Sequence, residues 1–179
     1  MHHRIAILTC VSNVSGVGPG HSALVVGDMV WTFEQMKGPM DSGWLIIDLK
    51  SYLKKNEHRP VVVQELSEKV NPSKALRYVS KSISRDDDYA TSGVCSSQVA
   101  SAIEAGTVET KVKFNPKGID TPRNVYLLAK RRGLVKRTYY YWPGAGGLGD
   151  FVRAHLLGRM ESEYADVPLS MPNAGIATW

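Results

Sequence analysis

Two residues of this 179-residue chain could do chemistry together, Cys95 and His21. Cys95 opens the run Cys95-Ser96-Ser97-Gln98-Val99, after which Val99, Ala102 and Ile103 recur at helical spacing, so the pattern predicts a helix with the thiol in its first turn. A cysteine there meets unpaired backbone N–H groups and the positive end of the helix dipole, which favour the thiolate and make it nucleophilic near neutrality. The plain alternative is a buried core cysteine, the commoner fate of a free thiol. What would separate the two is a base, and His21 is the candidate.

The elements that must position His21 are read from the residues around it. His21-Ser22-Ala23-Leu24-Val25-Val26 and Met29-Val30-Trp31-Thr32-Phe33-Glu34 are two strand-like runs joined by Gly27-Asp28, a dipeptide suited to a two-residue hairpin turn. Such a turn sets Val26 opposite Met29, and counting outward sets His21 opposite Glu34. Directly opposed residues have Cβ atoms about 4.5–5.5 Å apart, so Glu34 is expected to hold one imidazole nitrogen and leave the other for a thiol. Thr32 and Gln35 are rival orienters if the register slips. An exposed His–Glu pair of little energetic consequence is the bland reading of the same residues. Ala23, Val25, Val30 and Thr32 share the face of His21 and are small, so the cysteine helix is expected to lie across them, with Leu24, Val26, Met29, Trp31 and Phe33 lining the other face.

Elsewhere, residues 5–11 and Val61-Val62-Val63 read as strands, and residues 12–20 as a glycine-rich loop. Asn71-Pro72 opens a helix to about Ser84, with Asn71 as N-cap and Leu76, Val79 and Ile83 on one face. Pro116 and Pro122 bracket a turn-rich stretch, residues 125–130 suit a short helix, and residues 134–142 a late strand. The expected fold class is α+β: one domain over residues 1–179, a small antiparallel sheet packed against the cysteine helix, and an irregular tail from about residue 165.

With 43% apolar residues the chain can bury one sizeable core, and 22 basic against 17 acidic residues give a formal charge of +5, compatible with weak attraction to anionic surfaces. No apolar run approaches the ~20 residues of a membrane-spanning helix, and Met1-His2-His3-Arg4 leads only into a short apolar stretch. Synthesis in the cytoplasm without a classical leader is expected. Two cysteines are too few for a disulfide-stapled scaffold, so reduced thiols are the default.

Taken in order, Gly20-His21-Ser22-Ala23-Leu24-Val25-Val26, a polar residue ending the next strand, and Cys95-Ser96-Ser97-Gln98-Val99 opening a helix resemble the permuted branch of the NlpC-type papain-like superfamily, in which the histidine strand precedes the cysteine helix. Thr121-Pro122-Arg123-Asn124-Val125 extends the likeness loosely, over about the first two-thirds of the chain. The resemblance implies acyl chemistry through a thioester, with Cys95 as nucleophile, His21 as base and Glu34 as orienter. The resemblance, the small size and the basic charge together imply a cysteine amidase or peptidase, a leaderless bacterial effector or toxin acting on peptidoglycan peptides after export to the periplasm of a target cell, with an inhibitory immunity protein as partner. The first alternative is a thiol acyltransferase or lipase, for which Trp31, Phe33, Met36, Met40 and Trp44 would supply an apolar surface. The second is a non-enzymatic binding module on the same scaffold.

Other signals point elsewhere and are weaker. Gly144-Ala145-Gly146-Gly147-Leu148-Gly149 satisfies GxGxxG ahead of a helical stretch at 151–160, but too little chain follows to complete a βαβ unit, so no nucleotide cofactor is expected. Lys130-Arg131-Arg132 and Lys136-Arg137 before Tyr139-Tyr140-Tyr141-Trp142 read as a solvated helix end and an aromatic strand rather than a specific nucleic-acid site. His21, His58, Cys95 and His155 lack paired metal-ligand spacing, so no metal is expected. Cys10 ends an apolar strand, where burial raises a thiol's pKa, and is read as structural.

Overall fold

The computed structural model of the chain describes residues 4–10, 20–38, 41–57, 59, 61–86, 95–107, 110, 114 and 121–141. Within them the chain forms six strands: β1 (Ile5–Cys10), β2 (His21–Val26), β3 (Met29–Gly38), β4 (Asp41–Asp48), β5 (Val61–Leu66) and β6 (Val135–Tyr141). Four helices complete it: α1 (Leu49–Lys55), α2 (Pro72–Ser84), α3 (Cys95–Gly106) and α4 (Pro122–Arg131). The strands make one sheet in the order β4-β3-β2-β1-β5-β6, and every neighbouring pair is antiparallel. The molecule is thus α+β. No described helix is long and apolar enough to cross a membrane.

Both faces of the central strands are covered, which is why β1 and β5 are buried at every position instead of alternating. On one face Ile7, Leu24 and Val26 pack with Val99 and Ile103 of α3, Val79 of α2 and Val125 of α4. Full burial of each such side chain contributes about 1.5–3 kcal/mol. On the other face Leu8, Ala23, Val25 and Val30 pack against Leu49 and Tyr52 of α1.

Local chemistry fixes the connections. The hairpin closes as counted, with Val26 opposite Met29 and Ala23 opposite Thr32. Gly27 has φ 61° while Asp28 stays out of the left-handed region, the type II′ arrangement in which glycine alone avoids a Cβ penalty. Helix α2 begins where Asn71-Pro72 says it should: the Asn71 side chain accepts from the Lys74 N–H at 3.1 Å and Pro72 occupies the first turn. Thr121 caps α4 in the same way, accepting from the Asn124 N–H at 3.1 Å.

Four expectations need correction or extension. The cysteine helix does not lie across the small residues; α3 packs on the face of Leu24 and Val26, and α1 takes the small-residue face, where Tyr52 needs the room that Ala23 and Val25 leave. Ile83 is 47% exposed, and the inward face of α2 is instead Ala75, Val79 and Ser82 with Leu76 partly covered. Ser82 replaces Ile83 there because its hydroxyl accepts from Trp44 Nε1 at 2.9 Å and points to Gln98 of α3 at 3.4 Å, a polar chain that an apolar pattern does not reveal. Strand β4 and helix α1 had no counterpart in the sequence reading, although Trp44-Leu45-Ile46-Ile47 has strand composition and Asp48 caps α1 by accepting from the Ser51 N–H at 2.9 Å. The Gly144–Gly149 loop, the helical stretch at 151–160, Trp142, Pro116, Met40, His58, His155 and the tail from 165 lie outside the described residues.

Candidate active site

Three elements converge at the rim of the sheet where β1 ends and β2 begins. His21 is the first residue of β2 and lies opposite Cys10, the last of β1. Gly20 leads into it so close to β1 that a Cβ would stand 2.8 Å from the Cys10 carbonyl oxygen, which explains a glycine directly before the histidine. Cys95 is the first residue of α3 and is 6% exposed. His21 shares its face with Ala23 and Val25, whereas α3 covers the opposite face. His21 stands at the strand's end, and it and the Ser22 backbone beside it both act on the Cys95 thiol at the start of α3.

The contact is recorded in the thiol itself. Burial pushes the Cys95 thiol up, but the hydrogen bond and charge of the His21 side chain, aided by the Ser22 backbone and the Ser96 hydroxyl 4.0 Å away, bring it down from 9.0 to about 7. Cys10 shows the reverse: burial raises it, and its sulfur stands 3.5 Å from the Tyr52 hydroxyl in the apolar layer under α1. The sequence reading of Cys10 as the structural thiol agrees with this placement.

The orienter differs from expectation. His21 Nε2 lies 2.6 Å from Thr32 Oγ1, and the Thr32 hydroxyl in turn donates to Glu34 Oε1 at 3.3 Å. Glu34 therefore acts one hydroxyl further out than a direct His–Glu pair would put it. The register has not slipped; the imidazole reaches diagonally to the residue opposite Ala23 instead of straight across. The Gln35 side chain lies outside the described part. Glu34 is held from its far side by Lys55 at the end of α1, 3.3 Å from Oε2.

This chain of contacts couples the tautomer of His21 to the direction of the Thr32 hydroxyl. A hydroxyl has one proton; when Thr32 gives it to Glu34, Thr32 accepts from His21 and Nε2 carries the hydrogen. Nδ1 is then the nitrogen with a free lone pair, available to the thiol. A thiol at a helix start whose ionisation is favoured by a nearby imidazole is the arrangement of an activated nucleophile. Thr32 is 1% exposed and Glu34 partly buried, so the middle of the relay is sheltered and its exposure is greatest at Lys55.

Sequence reasoning missed Lys55 and the Ser22 backbone. Lys55 belongs to a helix that was not anticipated, and a backbone N–H leaves no trace in residue type. Trp31 and Trp44 pack with the core on the α3 face, and Phe33, 0% exposed, meets Trp44 edge to face with ring centroids 5.5 Å apart. Of these rings, Trp44 ties the sheet to α2 through the Ser82 hydroxyl. No group of His, Cys, Asp and Glu suited to a metal ion occurs among the described residues. No protein-family model, no curated protein and no solved structure matches this chain.

Proposed function

We propose that the chain is a cysteine hydrolase of permuted papain-like type that cleaves an amide bond through a thioester. The observation that carries this reading is the Cys95 thiol, brought to about 7 at the start of α3 by an imidazole whose other nitrogen is tied to Thr32. A purely structural cysteine in a buried site would be pushed up, as Cys10 is.

In the reaction, His21 Nδ1 takes the thiol proton and Cys95 Sγ attacks the carbonyl carbon of the substrate amide. The N–H groups at the start of α3 face the developing oxyanion. Collapse of the tetrahedral adduct breaks the C–N bond as His21 returns its proton to the leaving amine, and the acyl group stays on sulfur. Water, deprotonated by His21, then attacks the thioester, releasing the carboxylic acid and restoring the thiol. Thr32 and Glu34 are positioning residues: they keep the proton on Nε2 so that Nδ1 faces the sulfur.

The substrate is a peptide of bacterial peptidoglycan, and the protein an effector acting in the periplasm of a target cell, opposed in the producing cell by an immunity protein. This choice rests on the resemblance of the histidine and cysteine segments to the NlpC-type superfamily and on the +5 charge. The test is mass spectrometry of muropeptides and, separately, phospholipids after incubation with the protein and with Cys95→Ala. Thiol-dependent cleavage of a muropeptide amide is the expected result. Fatty-acid release with intact muropeptides would move the protein to the acyltransferase and lipase class, and inertness of both substrates together with an unreactive Cys95 would leave a binding module.

A further inference from the structure

The end of the sheet opposite the thiol carries a cavity of about 460 Å³, bounded by the start of β1, the end of β5, the start of β6 and the first turn of α2. It opens at Ile5, whereas Cys10 at the other end of the same strand faces His21, so the length of β1, about 17 Å, separates it from the thiol. Its charged lining is Arg4, Lys69, Lys136 and Arg137 against Glu65 and Glu68.

The carboxylates do not balance the cations. Glu65 is 7% exposed, accepts from the Tyr139 hydroxyl at 3.2 Å and pairs with Lys136 at 3.9 Å, so those two charges answer each other. Arg4, Lys69 and Arg137 form no ion pair among the described residues. Lys69 is steadied by the Gly133 carbonyl at 3.2 Å, which does not neutralise it, and Arg137 by the Tyr139 side chain and by the charge of Glu65, which it shares with Lys136. With Glu68 counted against these three, two positive charges remain uncompensated.

One further feature favours an anion: the 13-residue helix α2 turns its N-terminal, positive end toward the cavity at Asn71 and Pro72, where the Asn71 side chain already takes the Lys74 N–H and the helix dipole alone acts. The negative end of α3 also arrives here at Gly106, but the Gly106 carbonyl already accepts the Asn71 N–H at 2.9 Å and presents no bare acceptor to repel a ligand.

We propose that this cavity binds a phosphate monoester of a small polar molecule. A monoester carries about −1.5 to −2 charges near neutrality, which matches the uncompensated pair, whereas a monocarboxylate would leave one cation unanswered. Its several acceptor oxygens suit a guanidinium fork and an ammonium approaching from different sides. The volume falls within the usual range for small-molecule sites and leaves room beyond the phosphoryl group for a short organic body.

Isothermal titration calorimetry of the full chain with glycerol 3-phosphate, inorganic phosphate, glycerol, and vesicles of phosphatidic acid in phosphatidylcholine tests this. Glycerol 3-phosphate should bind saturably and more tightly than inorganic phosphate, and glycerol should not bind. Arg4→Gln and Lys69→Gln, both at exposed positions and so compatible with an unchanged melting temperature, should each weaken binding by about tenfold or more. Cys95→Ala should bind as the parent does, which keeps this site's fate separate from that of the thiol. Absence of saturable binding by glycerol 3-phosphate, equal affinity in both charge variants, or binding to vesicles alone would overturn the proposal.

Discussion

Removing the imidazole should change how Cys95 reacts in a way that depends on pH and even reverses sign. At pH 7 a thiol with a pKa of about 7 is half ionised. In His21→Ala the two contributions of the histidine vanish while burial, the largest influence and an upward one, stays opposed only by Ser22 and Ser96, so the thiol returns toward its ordinary 9.0. The thiolate fraction at pH 7 then falls about fiftyfold, to roughly 1%. Each remaining thiolate is the stronger nucleophile: with a Brønsted slope of 0.4–0.5, two pKa units are worth about eightfold in attack on a disulfide. The net prediction is a variant about six times slower at pH 7, equal to the parent near about pH 8, and faster above it. Stopped-flow reaction with a small aromatic disulfide across pH 6–10, with the modified cysteine identified by mass spectrometry, measures both curves. Parallel profiles, or a parent midpoint near 9, would refute the assignment of His21 as the group that activates Cys95. Preferential labelling of Cys10 in the folded parent would refute it as well, because burial raises that thiol.

Thr32→Val keeps the side chain's shape but removes the hydroxyl that accepts from His21 Nε2, leaving a sheltered N–H unpaired; a loss of about 1–3 kcal/mol corresponds to roughly five- to 150-fold in kcat on the cleaved substrate, with KM little changed and activity regained in Thr32→Ser. Gly20→Ala places a Cβ 2.8 Å from the Cys10 carbonyl oxygen, a backbone atom that cannot swing aside, so the start of β2 must move; urea denaturation should register a destabilisation of about 1–3 kcal/mol, and Cys95 reactivity at pH 7 should fall as His21 is displaced.

Much of the site was legible one residue at a time. Helical spacing after Cys95 placed the thiol in the first turn, Gly27-Asp28 fixed the register that carries His21, and Asn71-Pro72 marked the start of α2 at the residue where it begins. These features are local: capping, turn conformation and hydrophobic period act over a few residues, so the chemistry of the segment itself decides them. The face chosen by α3 was of another kind. Small side chains on one face of the hairpin suited either helix, and α1, which the sequence reading did not contain, took that face with Tyr52. Likewise Thr32 took the imidazole from Glu34 through a diagonal reach that strand alternation does not specify, and Lys55 came to Glu34 from 21 residues away along the chain. The two cysteines make the same point: type and context along the chain suggested which was reactive, but their opposite shifts arise from what surrounds them in space, an imidazole for Cys95 and the apolar layer under α1 for Cys10. Which of several acceptable neighbours a side chain meets depends on packing between distant segments, and that competition is settled only when all the layers close together.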